Sequence, residues 1–181
     1  MSNPISHLSS DSHIIIEIKA KISDPEKIRG ILKSEKADFK GVDKQTDTYF
    51  KVNYGRLKLR EGNIENHLIY YERENQAGPK QSDVLLYKTE PGSVIKDILS
   101  KSFGVLVTVE KEREIYFINN VKFHIDSVIN LGSFIEIEAI GNSKIDNKEE
   151  LLKQCKFYMK LFGIKQENLI KNSYSDMLLN K

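Results

Sequence analysis

Alternation of apolar and polar residues is the feature of this chain that most restricts its fold. From His13 to Ile22 every second residue is Ile or Ala, and the residues between them are mainly Glu and Lys. A period of two predicts a β-strand with one apolar and one polar face. Similar patterns predict seven further strands, at about 38–52, 55–61, 67–73, 83–89, 105–118, 121–129 and 133–140. We therefore predict a large antiparallel sheet.

Other segments carry helical signals instead. Ser23 and Glu26 have the spacing of a capping box and predict a helix after the first strand. A second helix is predicted over 91–103, closed by Gly104, and a longer amphipathic helix ends at Gly163. Together with the strands, these helices predict an α+β fold in which helices cover the apolar face of the sheet.

The chain length of 181 residues fits one domain, because domains usually contain roughly 100–200 residues. Residues 1–12 are polar and Ser-rich, and we expect a disordered leader followed by a single domain over 13–181. The one cysteine, Cys155, excludes a disulfide framework within the chain and favours a reducing compartment. Since we find neither a secretory signal pattern nor an apolar run near ~20 residues, we expect a cytoplasmic protein.

The charge balance of the chain is nearly neutral. There are 28 Lys and Arg residues against 26 Asp and Glu residues, which gives a formal net charge of +2. Proteins that bind nucleic acid or a membrane surface through bulk positive charge carry a clear basic excess. We therefore expect neither partner, and the placement of the charges becomes the informative feature.

Ionisable residues recur at every second position of several predicted strands, as from Arg56 to Arg60. The basic members of these rows are Lys19, Lys21, Lys58, Arg60, Arg73, Lys88, Lys111 and Arg113. The acidic members are Glu17, Asp126, Glu136 and Glu138. One such strand alone is more often a solvated face, but a solvated sheet mixes the two signs, whereas here they are segregated between strands. If the sheet curls with these rows inward, they converge into a polar tunnel.

A tunnel with more cations than acids needs an anionic guest, because uncompensated buried charge is costly. A polyphosphate would supply the missing negative charge. The carboxylates would then hold Mg²⁺ or Mn²⁺, which prefer oxygen ligands and often share them with substrate phosphates. Lys and Arg side chains beside such a metal are what phosphoryl transfer requires.

Several short segments occur in an order typical of one family. They are E-I-K-A-K at Glu17–Lys21, D-T-Y-F at Asp47–Phe50, R-L-K-L-R-E at Arg56–Glu61, Y-Y-E-R at Tyr70–Arg73, the pair Lys111 and Arg113, and F-I-E-I-E at Phe134–Glu138. Over about residues 13–178 the chain resembles the CYTH superfamily, the class IV adenylate cyclases and thiamine triphosphatases also called triphosphate tunnel metalloenzymes. The resemblance implies an eight-stranded antiparallel β tunnel, closed or nearly closed, with helices outside, a divalent metal and a small-molecule triphosphate substrate.

The resemblance also implies roles for individual residues. Substrate binding is expected of Lys21, Lys58, Arg60, Arg73, Lys111 and Arg113. Metal binding is expected of Glu17, Asp126, Glu136 and Glu138, and catalytic roles of Lys19, Lys88 and Tyr49. The Glu-x-Glu-x-Lys hallmark of the family is incomplete here, because Ile15 replaces its first Glu. This departure leaves the number of bound metal ions open.

Two reactions suit this scaffold, and the sequence leaves both open. An adenylate cyclase, which comes first by whole-chain likeness, would convert ATP to cyclic AMP and pyrophosphate. A triphosphatase would hydrolyse tripolyphosphate, thiamine triphosphate or a nucleoside triphosphate. With Ile15 in place of a Glu, a non-catalytic binder of nucleotides or polyphosphate is a third hypothesis. The residues do not specify an oligomeric state, and a homodimer stays open.

Three further expectations concern residues outside these rows. His124 could line the tunnel, but we expect a wall residue rather than a ligand. Cys155 lies in the apolar stripe of a helix and is expected to be a small core residue rather than a nucleophile. Tyr174 and Asp176 are expected to cap the tunnel.

Overall fold

The computed structural model describes residues 13–72, 78–142 and 147–181. Its strands are β1 (His13–Lys21), β2 (Asp38–Phe50), β3 (Arg56–Glu61), β4 (His67–Glu72), β5 (Lys80–Lys88), β6 (Val105–Ile118), β7 (Val121–Val128) and β8 (Gly132–Asn142). Its helices are α1 (Pro25–Ser34), α2 (Ile95–Phe103), α3 (Lys148–Leu161) and α4 (Tyr174–Leu179). Within these residues, no helix combines the length and hydropathy that crossing a membrane requires.

The strands form a closed antiparallel barrel. Around the barrel their order is β1-β5-β4-β3-β2-β6-β7-β8. The longest pairing joins β2 to β6 and involves nearly all of Asp38–Phe50. Strand β1 pairs with β8 along its whole length but with β5 only over Ile15–Glu17. The predicted α+β fold with an eight-stranded antiparallel barrel is confirmed.

The main apolar core lies on the outer side of the barrel, where β1, β7 and β8 pack against α1 and α3. Ile18, Phe123 and Ile137 come from the strands, and Leu32 and Cys155 come from the helices; all five are almost inaccessible to solvent. Each large side chain buried here contributes roughly 1.5–3 kcal/mol of transfer free energy. Because successive residues of a strand point to opposite faces, burial of this face turns the intervening residues into the barrel.

Cys155 is a packing residue, as expected from the sequence. Its side chain is buried, and its Sγ donates a hydrogen bond to the carbonyl oxygen of Ile16 at 3.1 Å. Burial raises the pKa of the thiol to about 11, so the group stays protonated at neutral pH.

Two helix starts differ from the sequence-based predictions. The N-cap of α1 is Asp24 rather than Ser23, and its carboxylate accepts the backbone N–H of Lys27 at 3.1 Å. Helix α2 begins at Ile95, four residues later than predicted. The reason is local, because Gly92 has a φ of 72° in the left-handed region and the chain makes a turn there before the helix begins.

Helix α4 packs against side chains inside one end of the barrel. Tyr174, its first residue, is buried and packs against Phe134 with ring centroids 5.0 Å apart. Its hydroxyl donates a hydrogen bond to Asp126 Oδ2 at 2.8 Å. Asp176, in the first turn, forms an ion pair with Arg56 Nη2 at 2.9 Å. Tyr174 and Asp176 therefore lie at this end of the barrel, where the sequence led us to expect them.

Candidate active site

The interior of the barrel contains a cavity of about 270 Å³ whose lining is rich in charge. Among the described residues, the basic side chains of the lining are Lys19, Lys58, Arg60, Lys111, Arg113 and Lys122. The acidic side chains are Glu17, Asp47, Glu65, Glu136 and Glu138. The charged rows do face inward. The described lining does not have the large cationic excess expected from the sequence, because Lys21 and Lys88 do not contribute to it and Asp47 and Glu65 add two acids that were not anticipated.

One side of the cavity is formed by β2, β3 and β6. It carries Lys58, Arg60 and Lys111 around Asp47, and we call these four residues the cationic wall. The Asp47 carboxylate accepts hydrogen bonds from Arg60 Nε at 2.8 Å and Nη2 at 3.0 Å. It also accepts from Lys58 Nζ at 2.9 Å and from Lys111 Nζ at 2.8 Å. A single carboxylate therefore organises three cations that come from two different strands.

Burial and charge act in opposite directions on ionisation in the cationic wall. Burial alone would raise the pKa of Asp47, but the charges of Arg60, Lys111 and Lys58 hold it well below its usual range. Burial lowers the pKa of Lys111 to about 7, and the attraction of Asp47 only partly offsets this effect. Asp47 is thus ionised at neutral pH, whereas Lys111 is close to half protonation.

Glu65 extends this network toward β7. Its Oε2 accepts hydrogen bonds from Arg60 Nη1 at 2.9 Å and from Gln45 Nε2 at 3.1 Å. Its Oε1 accepts from Lys122 Nζ at 2.7 Å. Burial would raise the pKa of Glu65, but the charges of Lys122 and Arg60 keep it far below the usual range. Glu65 therefore links the cationic wall to the strand on the other side of β6.

The opposite side of the cavity is formed by β1, β7 and β8. It carries Glu17, His124, Glu136 and Glu138, which we call the acidic wall. Glu17 lies directly opposite Glu138 in the β1–β8 pairing. His124 Nδ1 lies 3.3 Å from Glu136 Oε2 and 3.5 Å from Glu138 Oε1. One ligand atom from each of His124, Glu136 and Glu138 lies within 4.8 Å of the others, which is close enough for all three to share one metal ion.

Ionisation of the acidic wall is set by burial and by two neighbouring cations. Burial would raise the pKa of Glu136, but Lys19 Nζ at 2.9 Å and Arg113 Nη2 at 2.7 Å hold it well below its usual range. Burial, followed by the charge of Arg113, lowers the pKa of His124, so its imidazole is neutral at neutral pH. Carboxylates and a neutral imidazole are groups that bind divalent cations.

Asp126, expected to bind a metal ion, is engaged elsewhere. It is completely buried, and its Oδ1 accepts a hydrogen bond from Arg113 Nε at 2.7 Å. Its Oδ2 accepts from Arg113 Nη2 and from the Tyr174 hydroxyl. Asp126 is also not among the residues that line the cavity. In this arrangement it orients Arg113 and anchors α4.

Two of the residues expected to be catalytic, Lys19 and Tyr49, line the cavity. Lys19 Nζ pairs with Glu136 and lies 3.9 Å from the centre of the Tyr174 ring. Tyr49 is buried beside the cationic wall, and Lys58 Nζ lies 5.4 Å from the centre of its ring. Both side chains are thus placed within the charged interior.

Two other expected site residues are not brought into the cavity. Lys21 and Lys88 are exposed and do not contribute to its lining. Both lie near strand ends, Lys21 on β1 and Lys88 on β5. Arg73 lies outside the described residues.

Part of the cavity lining is apolar, and we call this part the apolar rim. Ile15 lies opposite Ile140 in the β1–β8 pairing, and both residues line the cavity. Val84 and Leu86 add apolar surface from β5. Ile15 thus occupies the place of the first hallmark Glu with a side chain that suits an organic group better than a metal ion.

The structure adds five charged or imidazole side chains to the predicted site, namely Asp47, Glu65, His67, Lys122 and His124, and three of them had a signal in the sequence. Asp47 precedes Tyr49 by two residues on one strand, so alternation predicts that the two side chains lie on the same face. Lys122 and His124 are likewise two residues apart on β7. Glu65 lies in the loop between β3 and β4, where no periodic pattern exists to place it.

Comparisons with known proteins agree with this architecture. The family model for the CYTH domain matches residues 13–174. A protein of Methanocaldococcus jannaschii, provisionally named an adenylate cyclase, is 29% identical over 174 residues, which cover 91% of this chain and 98% of that protein.

Two solved structures show the same fold. The PH1012 protein of Pyrococcus horikoshii OT3 has a TM-score of 0.77 at 27% identity, with 90% of this chain and 98% of that chain covered. A provisionally named adenylyl cyclase of Hippeastrum, described as having a dominant triphosphatase activity, has a TM-score of 0.60 at 13% identity, with 92% and 94% covered. Since the family model spans most of the sequence, this chain belongs to the CYTH family.

Proposed function

We propose that this protein is a divalent-metal-dependent enzyme that acts on a triphosphate in the barrel, and that its reaction is the conversion of ATP to cyclic AMP and pyrophosphate. The observation that carries the proposal is the arrangement of two charged walls around one cavity. The cationic wall would bind phosphate oxygens, and the acidic wall would bind the metal ion. The cyclase name of the Methanocaldococcus relative supports the choice of reaction.

The cationic wall can bind phosphate without losing Asp47. A Lys ammonium has three N–H donors, and Asp47 takes one from Lys58 and one from Lys111. The carboxylate therefore fixes the positions of the cations and does not exhaust their donors. Preorganised cations of this kind stabilise charge that develops during phosphoryl transfer, because they need not reorient as the reaction proceeds.

The donors of the acidic wall fit a divalent cation. Glu17 and Glu138 face each other across neighbouring strands, an arrangement in which two like charges repel. A cation bound between these carboxylates, His124 and Glu136 would relieve that repulsion. When bound, such a metal ion would neutralise phosphate charge and act as a Lewis acid.

Charge balance also supports a metal-bound triphosphate. Among the described residues, the cavity lining has six basic and five acidic side chains, an excess of only one positive charge. A triphosphate carries more negative charge than this lining can neutralise. A divalent cation on the acidic wall would supply the missing positive charge, so metal and triphosphate are expected to bind together.

In the proposed cyclisation, the 3′ oxygen of ATP forms a bond to the α-phosphorus, and the bond from that phosphorus to the bridging oxygen of the β-phosphate breaks. The hydroxyl proton passes to water, and pyrophosphate leaves with the bonding electron pair. Lys58, Arg60 and Lys111 would hold the phosphates that become pyrophosphate. The apolar rim at Ile15 and Ile140 would contact the nucleoside.

A triphosphatase is the second candidate, and one observation favours it. The charged walls alone provide what hydrolysis of a terminal phosphate requires, and this reaction needs no group that recognises adenine. In this reaction a water oxygen forms the new bond to the terminal phosphorus, and the bond from that phosphorus to the bridging oxygen breaks. The shortened polyphosphate leaves with the bonding electron pair, and the proton of the water passes to solvent.

Product identification separates these functions. The purified protein would be incubated with ATP, tripolyphosphate and thiamine triphosphate, first with Mg²⁺ and then with Mn²⁺. Cyclic AMP with pyrophosphate would support the cyclase, and free phosphate would support the triphosphatase. Tight binding without turnover of any substrate would contradict both and support a non-catalytic binder.

A matched pair of variants ties the activity to the cavity. Lys58→Gln removes a cation from the cationic wall, whereas Lys44→Gln removes one from the outer surface of neighbouring strand β2, where the side chain is 77% exposed. Loss of turnover in Lys58→Gln but not in Lys44→Gln is expected. Equal activity of the two variants would contradict the proposed site.

A further inference from the structure

His124 is a buried histidine whose ring meets two carboxylates on one edge. Its side chain is 2% exposed, and Nδ1 lies within 3.5 Å of oxygens of both Glu136 and Glu138. A neutral imidazole has one N–H, and that donor can form a good hydrogen bond with only one of these acceptors. Two carboxylate oxygens therefore compete for at most one N–H of the ring, and one of the two is left without that donor.

The second ring nitrogen of His124, Nε2, makes no contact that explains why the ring is buried here. His124 Nε2 is buried and has no hydrogen-bond partner among the described residues. A histidine with a purely structural role normally has both nitrogens paired, since an unpaired buried polar atom costs about 1–3 kcal/mol. Neither tautomer of His124 achieves this with the protein groups described. An ion bound at Nδ1 would leave Nε2–H unpaired as well, so the contacts at Nδ1 are the ones that indicate a ligand.

We propose that His124 is a nitrogen ligand of the metal ion held by the acidic wall, and that it makes the site select Mn²⁺ over Mg²⁺. The ligand atom is Nδ1, with Glu138 and Glu136 as carboxylate partners. This inference rests on the metal dependence in the proposed function and adds to it a ligand outside the resemblance to the family.

Strand geometry explains why His124 can reach the metal. His124 lies directly opposite Glu136 in the β7–β8 pairing, so their side chains leave the same face of neighbouring strands. Glu138 is two residues further along β8 and therefore points the same way. On the far side of β8, Glu17 on β1 is paired with Glu138. Strands β7 and β8 thus direct one nitrogen and two carboxylate donors toward one point, and Glu17 lies beside them on β1.

The mixed ligand set determines the preferred ion. Mg²⁺ demands oxygen ligands in near-ideal octahedral geometry and gives up its water reluctantly. An imidazole nitrogen is a better ligand for first-row transition ions, and carboxylates also suit Mn²⁺. Replacing an oxygen ligand with His124 Nδ1 therefore lowers affinity for Mg²⁺ more than for Mn²⁺.

Pulsed electron paramagnetic resonance of the Mn²⁺-loaded protein tests the proposal directly, because a directly bound imidazole gives a ¹⁴N coupling to the electron spin. We expect this coupling in the wild-type protein and its loss in His124→Gln. His67→Gln removes another imidazole that lines the cavity but lies on β4, outside the metal cluster, and should retain the coupling. Circular dichroism establishes that each variant is folded.

Metal titrations provide the second measurement. In His124→Gln the affinity for Mn²⁺ should fall at least about tenfold, while the affinity for Mg²⁺ changes less, so the preference between the two ions narrows. Wild-type protein that binds Mn²⁺ and turns over triphosphate without a ¹⁴N coupling would overturn the inference and leave the proposed function intact. Wild-type protein that binds no divalent ion would overturn both.

Discussion

The two walls of the cavity differ in how their buried carboxylates are compensated. On the cationic wall, Asp47 is surrounded by three cations of the protein itself. On the acidic wall, the charges of Lys19 and Arg113 compensate Glu136. Glu138, in contrast, lies opposite Glu17 in the strand pairing and beside the neutral imidazole of His124. The carboxylate of the cationic wall is thus compensated by protein cations alone, whereas the proposed function requires a metal ion on the acidic wall. Under that proposal the phosphate side is built in advance, and the metal side is completed on binding the ion.

The largest effect is expected from Glu138→Gln, which tests whether the acidic wall depends on a metal ion. Loss of this charge should reduce metal-dependent turnover by about 10²–10³-fold, because transition-state charge loses a preorganised electrostatic partner. Glu138 is a cleaner target than Glu136, whose removal would also take a carboxylate partner away from Lys19 and from Arg113. Steady-state kinetics with saturating Mn²⁺ would measure the change. Turnover within twofold of wild type would contradict the metal site, and Glu112→Gln on the outer surface is the control.

Asp47→Asn tests the completeness of the cationic wall. Three largely buried cations would lose a shared counterion, with only Arg60 keeping a second one in Glu65, and breaking a buried network of this kind destabilises a protein by about 3–5 kcal/mol. Urea unfolding would measure the loss. Added tripolyphosphate should restore more stability to this variant than to wild type, because it supplies the missing negative charge. Equal gains in both proteins would show that the polyanion does not bind at this wall.

A smaller effect is expected when one phosphate-binding cation is removed. Lys58→Gln should weaken tripolyphosphate binding by about tenfold, since a hydrogen bond to a charged group contributes about 1.5–3 kcal/mol. Calorimetric titration at low salt, with Lys44→Gln as the exposed control, would measure the difference. Unchanged affinity in Lys58→Gln would place the polyanion elsewhere.

The smallest predicted effect is a pH dependence of tripolyphosphate binding at the cationic wall. Lys111 is charged below its pKa of about 7 and neutral above it, so one positive charge is lost as pH rises through that value. Tripolyphosphate affinity should therefore decrease by a few-fold between pH 6 and pH 8. In Lys111→Met the decrease should be smaller, and an identical pH profile in the two proteins would contradict the assignment.

The sequence predicted the barrel well because alternation is a local signal that the strands obey. It also predicted that Lys58, Arg60 and Lys111 would face inward with Glu136 and Glu138. It did not predict that Asp126 pairs with Arg113 and stays out of the cavity lining. Alternation along a strand predicts which face of the sheet a residue occupies, but not how far along the barrel it lies. Glu65 was missed for another reason, since a loop between strands carries no period. Partners across strands depend on register, which no single segment of this chain specifies.

The packing of α4 and Tyr174 at one end of the barrel has a consequence for the order of product release. A passage open at both ends would let substrate enter from one side and product depart from the other. Because α4 packs inside one end of the barrel, we expect the triphosphate to enter, and the products to leave, at the other end. In the proposed cyclase reaction, pyrophosphate held by the cationic wall would lie deeper than the cyclic nucleotide and would leave after it. We therefore expect an ordered release of products.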